Sequence, residues 1–185
     1  MFVRYALVFA LGIVAILMAS PIILTLFTSF KPTTELVNPA WYPPQDWTFE
    51  HYIRVWTEGK FNLYFLNTVI SSAVDAVAMV IIASLAAYTM VFMDFRYKKA
   101  VQFLFLIGLM IPVTAIVLPL YSVVRSFGLV NTHLGVILSD VALAVSVFVF
   151  MFMSYFVGIP KALHEAARID GATEFQIYRR VIMPI

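Results

Sequence analysis

The chain contains no cysteine, and this one gap removes disulfide bridges, thiol catalysis and thiolate metal sites. Charge is scarce as well: Asp, Glu, Lys and Arg supply 12% of the 185 residues, against roughly a quarter in an ordinary soluble domain. With 63% of residues hydrophobic, a water-facing surface cannot be assembled from so few polar side chains, so lipid must be part of the solvent. The formal charge is only +2 and no basic patch marks the chain for nucleic acid. Histidines are His51, His133 and His164 alone. The last opens "HEAAR", but the second ligand of a zinc helix H-E-x-x-H would stand at Arg168, a cation that does not bind zinc at neutral pH. The Gly59-Lys60 pair has Arg54 in place of the first P-loop glycine and Phe61 in place of the magnesium-binding Ser or Thr. The chain therefore reads as non-enzymatic, with no metal site, no catalytic set and no cofactor of its own.

What is abundant is apolar sequence in long runs. A bilayer crossing needs about 20 mostly apolar residues. Four segments qualify: Tyr5 to Phe30, Phe61 to Met93 with Asp75 inside, Ala100 to Val124, and Leu134 to Ile159 with Asp140 inside. A cleaved leader is the rival reading for the first run, but the run exceeds a leader's apolar core and no A-x-A pattern closes it, which favours a retained span. The expected fold is an all-α integral membrane protein, a polytopic helical bundle. Met183, Pro184 and Ile185 start a further apolar run, so the expectation is a fragment of four spans whose next helices are missing.

Lys and Arg placement sets the expected orientation. A cytoplasmic N-terminus puts Arg4, Arg96, Lys98, Lys99, Lys161, Arg168, Arg179 and Arg180 inside, and Lys31, Arg54, Lys60 and Arg125 outside. The external loop, residues 31–60, mixes prolines with Trp41, Tyr42, Trp47, Tyr52 and Trp56. Such rings suit the headgroup layer, and they would equally suit stacking on sugars.

Residues 160–185 are predicted to form two short helices around a hinge on the cytoplasmic side. Pro160 suits a first helical turn, and Leu163, Ala166 and Ala167 make a narrow apolar strip. Gly171 permits a positive φ. Thr173 and Gln176 have capping-box spacing, and Phe175, Tyr178 and Ile182 are expected along one side of the second helix. This is a docking knob for another protein, or else a solvated loop that happens to be helical. Within the spans, Pro112 and Pro119 are expected to bend the third helix, and Asp75 and Asp140 are costly in lipid unless partnered. They are candidates for the substrate pathway, for structural hydrogen bonds, or for a proton relay.

Glu165-Ala166-Ala167, three residues, Gly171, nine residues, then Val181, Met183 and Pro184 resembles the EAA loop of ABC-transporter membrane subunits, E-A-A-x3-G-x9-I-x-L-P. Val181 and Met183 depart from that form but stay apolar. "SFKP" at Ser29 to Pro32, "LAAY" at Leu85 to Tyr88, "LPLY" at Leu118 to Tyr121, "FGLVNTHLGVIL" at Phe127 to Leu138 and "IPKALHEAARIDGAT" at Ile159 to Thr173 are similar to the maltose-type carbohydrate permeases, nearly end to end. The resemblance implies a bacterial or archaeal inner-membrane subunit of six spans, two of them absent here, that couples ATP hydrolysis elsewhere to sugar translocation. Glu165, Ala166, Ala167, Asp170, Gly171 and Pro184 would be the ATPase-coupling residues. Its partners would be a cytoplasmic ABC ATPase dimer that binds ATP and magnesium, a second permease, and an extracytoplasmic sugar-binding protein that delivers the carbohydrate. An ion-coupled secondary transporter or a membrane scaffold is the alternative.

Overall fold

The computed structural model describes residues 2–39 and 41–185, and these are helical wherever they are regular: eight α-helices, one 3-10 turn and one π-helical turn. The chain divides into two compact units, Met1–Phe65 and Leu66–Ile185.

The first unit opens with α1 (Phe2–Ser29), whose 28 residues rise about 42 Å, enough to cross a bilayer with tilt. Pro21 lies inside it and cannot donate to the carbonyl of Leu17. The hydroxyl of Ser20 donates to that carbonyl at 2.8 Å, so the proline leaves no bare acceptor facing lipid. After α1, Phe30 gathers Trp47, Phe49 and Tyr52 at ring-centroid distances of 5.5, 5.3 and 5.4 Å. Lys31 is buried beneath this loop and donates to the Pro39 carbonyl at 3.0 Å, while His51 donates to the Lys31 carbonyl at 2.8 Å. Glu35, on a 3-10 turn (Thr33–Glu35), accepts from the backbone N–H of Gln45 and Asp46, each at 3.0 Å. A short helix, α2 (Glu50–Thr57), follows. Trp41, Tyr42, Trp47 and Trp56 remain exposed.

The long helix α3 (Phe61–Phe92) begins at the end of the first unit and runs on as the spine of the second; it contains no glycine or proline in 32 residues. It is followed by α4 (Lys98–Met110), α5 (Val113–Ser126) and α6 (His133–Val157). Among the described residues three helices are long and apolar enough to cross a membrane, Leu7–Ser29, Phe61–Phe92 and His133–Val157, and a fourth crossing requires α4 and α5 to act as one.

The third apolar run departs from the single bent helix expected over 100–124. It is two helices set at 106°. The cause is local: a residue before proline is driven out of the α region, and Ile111 is extended with ψ 120°, while Pro112 itself is extended with ψ 132°. Pro112 therefore ends one helix and starts the next. Pro119 sits within α5, which continues past it.

The turn into α6 places Gly128 and Asn131 at φ 70° and 59°. Thr132 then caps α6 by accepting from the Gly135 N–H at 3.1 Å. Both α4 and α5 pack on α6. At one crossing a side chain on Gly108 would meet the Ser146 hydroxyl, so glycine is what permits α4 to lie this close. Beyond the Gly158–Pro160 break come α7 (Lys161–Ile169) and α8 (Glu174–Ile177), the latter continuing into the π-helical turn (Tyr178–Ile182).

Candidate functional site

Helices α7 and α8 form a tight hairpin whose geometry comes from three local rules. Pro160 takes the N-cap position of α7, one residue before the first turn expected for it. At the other end Gly171 has φ 84°, its N–H bonds the Arg168 carbonyl at 3.1 Å, and the Ala172 N–H bonds the Ala167 carbonyl at 3.1 Å. That is a Schellman turn, which needs the left-handed region that glycine enters without a Cβ penalty. The capping box of α8 is present in both directions: Thr173 N–H to Gln176 Oε1 at 2.8 Å, and Gln176 N–H to Thr173 Oγ1 at 3.4 Å.

The hairpin is held to the spans from inside. Ile177, Tyr178 and Ile182 form one buried cluster with Ala87 and Tyr88 of α3 and with Phe156 and Ile159 at the end of α6. Each large apolar side chain so buried contributes about 1.5–3 kcal/mol relative to exposure. Polar bonds run through the same contact. Ser84 donates to the Val80 carbonyl of its own helix, which leaves its oxygen to accept from Tyr178 Oη at 2.7 Å. Tyr88 Oη donates to Glu174 Oε2 at 2.8 Å. With that proton committed, His164 Nε2 is a donor shared between Tyr88 Oη at 3.1 Å and Glu174 Oε2 at 3.0 Å. The His164 ring is buried and stacks on Phe92 at 5.1 Å and 15°. Arg168 reaches the other oxygen of Glu174 at 3.5 Å. Burial pushes the Glu174 pKa up, but the hydrogen bonds from Tyr88 and His164 and the nearby His164 and Arg168 groups outweigh it and hold the carboxyl below its ordinary range.

The sequence-predicted residues divide between two faces of this hairpin. Glu165, Ala166, Asp170, Gly171 and Pro184 are exposed, whereas Ala167 is half-buried against the apolar cluster. The strip read as Leu163, Ala166 and Ala167 is thus split, with Ala167 facing the spans. Phe175 likewise parts from Tyr178 and Ile182: its ring is outside and theirs are buried, because the buried face of α8 runs through Ile177 and Tyr178 and leaves Phe175 beside it. Outward apolar side chains are Leu163, Phe175 and Ile169, the last 86% exposed. Ser84, Tyr88, His164 and Glu174 had no sequence signal as a group, since Tyr88 lies 76 residues before its histidine partner.

A second constellation lies farther along α3. Asp75 and Asp140, from α3 and α6, line one cleft of 460 Å³ together with Asn67, Ser71, Ser72 and His133. Ser71 Oγ and His133 Nδ1 are hydrogen-bonded at 2.8 Å. Asp75 Oδ1 is buried and has no hydrogen-bond partner among the described residues. No lysine or arginine lines the cleft, and neither Pro112 nor Pro119 does. Among the described residues no three His, Asp or Glu side chains are gathered in a way that could hold a metal ion.

A family model described as "Binding-protein-dependent transport system inner membrane component" matches residues 79–185, which hold the C-terminal part of α3, α4 to α6 and the hairpin. The diacetylchitobiose uptake system permease protein NgcG of Streptomyces coelicolor is 32% identical over 171 residues, covering 92% of this chain and 57% of that protein. The arabinooligosaccharides transport system permease protein AraQ of Halalkalibacterium halodurans is 33% identical over 185 residues, covering 98% and 66%. In shape the chain resembles a subunit in the crystal structure of a bacterial ABC transporter involved in the import of the acidic polysaccharide alginate, with a TM-score of 0.83 at 24% identity over 99% of this chain and 64% of that one. The chain spans less than two thirds of the length of each of these three.

Proposed function

The chain belongs to the family of binding-protein-dependent transport inner-membrane components, and from that premise we propose that it is the membrane-spanning subunit of an ATP-binding-cassette importer for a carbohydrate. ATP and magnesium belong to a separate cytoplasmic ATPase dimer. A second permease subunit completes the membrane part, and an extracytoplasmic binding protein delivers the sugar. Carbohydrate is favoured because similar chains are named for diacetylchitobiose and for arabinooligosaccharides. The Lys and Arg distribution supports a cytoplasmic α7–α8 hairpin, on the same side as the ATPase.

One observation carries this reading: the hairpin is capped at both inner ends, stitched to the spans through its inner face, and left with its EAA face open. A rigid wedge of that kind transmits displacement, whereas a floppy loop absorbs it. Glu165, Ala166, Asp170 and Gly171 present the face that the ATPase grips, Ile169 is the tip that enters its cleft, and Ala167 sets the distance between hairpin and spans. Asp75 and Asp140 line the polar route for the sugar, whose hydroxyls donate to carboxylates. A cysteine at Ile169, unique in this cysteine-free chain, is expected to cross-link to an ATP-hydrolysing protein in intact membranes; a probe there that captures no such protein overturns the assignment.

A further inference from the structure

Two attachments connect the hairpin to the spans, and they differ in chemistry. The one to α6 passes through the non-helical Gly158–Ile159–Pro160 break and is packed by Phe156 and Ile159, which share the apolar cluster of Ile177, Tyr178 and Ile182. The other reaches α3, and it is a buried clamp of hydroxyls and a carboxylate: Ser84 with Tyr178 at 2.7 Å, and Tyr88 with Glu174 at 2.8 Å, the latter buttressed by His164. Ser84, Ala87 and Tyr88 lie on one stripe of α3 at helical spacing and are all buried. Between Asp75 and Ser84 the helix is unbroken and contains neither glycine nor proline, so neither of the usual helix breakers interrupts it. Asp75 is nine residues up the rod, about 14 Å away, and lines the polar cleft with Asn67, Ser71 and Ser72 of the same helix.

We infer that α3 is the lever of this subunit: displacement of the hairpin is delivered to α3 through the clamp of Ser84, Tyr88, His164, Glu174 and Tyr178, and α3 carries it as a stiff rod to the cleft at Asp75. This rests on the coupling reading above and goes beyond it by naming the route. The clamp residues are positioning residues, since they lie on the inner face of the hairpin. Tyr88→Phe deletes one hydroxyl and keeps the ring, so the apolar cluster stays filled while the bond to Glu174 is lost. Ser84→Ala does the same to the second bond.

The test uses the intact transporter in membranes, with single cysteines as reporters, because the chain has none of its own. Ser72→Cys reports from the α3 side of the cleft and Val136→Cys from the α6 side. With the clamp unaltered, addition of ATP and a transition-state trap is expected to change thiol-labelling at Ser72→Cys. In Tyr88→Phe, and again in Ser84→Ala, that change should fall about ten-fold, the ratio that a lost hydrogen bond to a charged or buried partner produces. The response at Val136→Cys and the amount of co-purifying ATPase should persist. Uptake per ATP hydrolysed should fall in parallel, with the double variant no worse than Tyr88→Phe alone, because both bonds serve one clamp. An undiminished response at Ser72→Cys in both clamp variants overturns the lever, as does a silent Ser72→Cys in an unaltered clamp that holds its ATPase. If no ATPase associates with the unaltered protein, the coupling reading falls first and the lever with it.

Discussion

Two residues in the hairpin have consequences that follow from their own chemistry. Gly171 has φ 84° and open space where a Cβ would project, so a substitution there is penalised by backbone alone. Gly171→Ala should destabilise the purified protein by about 1–2 kcal/mol, and Gly171→Asn by less, since asparagine tolerates the left-handed region. Thermal unfolding in detergent measures both; equal losses for Ala and Asn would contradict the left-handed requirement. Glu174 has a folded pKa held below its ordinary value, with burial opposing and hydrogen bonds from Tyr88 and His164 prevailing. A depressed carboxylate contributes stability that is complete above the unfolded pKa, about 4.3, and is lost as pH falls through the folded value. Hydrogen exchange of the α8 and π-turn amides, corrected for intrinsic pH dependence, should therefore accelerate as pH falls below the unfolded value of Glu174. Glu174→Gln, which does not titrate, should flatten that acid step.

At the scale of the helix, length and composition made most elements legible and proline made one of them misleading. The long apolar runs α1, α3 and α6 announce themselves, because a bilayer demands some 20 apolar residues whatever lies around them. The hairpin was equally readable: Gly171, Thr173 and Gln176 act within their own turn, so nothing distant is needed to set them. The run through Pro112 is different. An apolar count cannot distinguish a kinked helix from two helices, and the outcome depends on whether Ile111 stays α-helical or becomes extended, which neighbours decide. At 13 and 14 residues α4 and α5 are about 20 Å each, too short to cross alone. Burial faces were less legible on so short a helix: the buried face runs through Ile177 and Tyr178 and leaves Phe175 outside. The crossing of α4 on α6 offers a clean test of packing. Gly108→Leu should destabilise by about 1–3 kcal/mol through overpacking against Ser146. Gly108→Ala combined with Ser146→Ala should return close to the starting stability, since the clash is with that hydroxyl, and a thermal melt in which the pair is worse than Gly108→Ala alone would show that the contact is not limiting.

For the molecule as a whole, the convergence of Asp75 and Asp140 on one cleft was not readable from 65 residues of separation, and it sharpens the choice between two driving forces. A buried Asp75 oxygen with no partner among the described residues is costly, and a transported hydroxyl or a transported proton would each relieve it. The two differ in what the carboxylate must do. A proton relay needs groups that change protonation in each cycle, whereas a sugar route needs only hydrogen-bond acceptors of the right shape. Asparagine keeps the shape and an acceptor oxygen but cannot titrate. In the ATP-driven reading, Asp75→Asn and Asp140→Asn should each retain transport within about ten-fold, the scale of one altered hydrogen bond. Sugar uptake into vesicles loaded with ATP should continue when the proton gradient is collapsed and stop when ATP is exhausted. The relay requires the reverse on both counts, and loss of all transport in both Asn variants, in vesicles that still retain the ATPase, would move the motive force from the hairpin to the cleft.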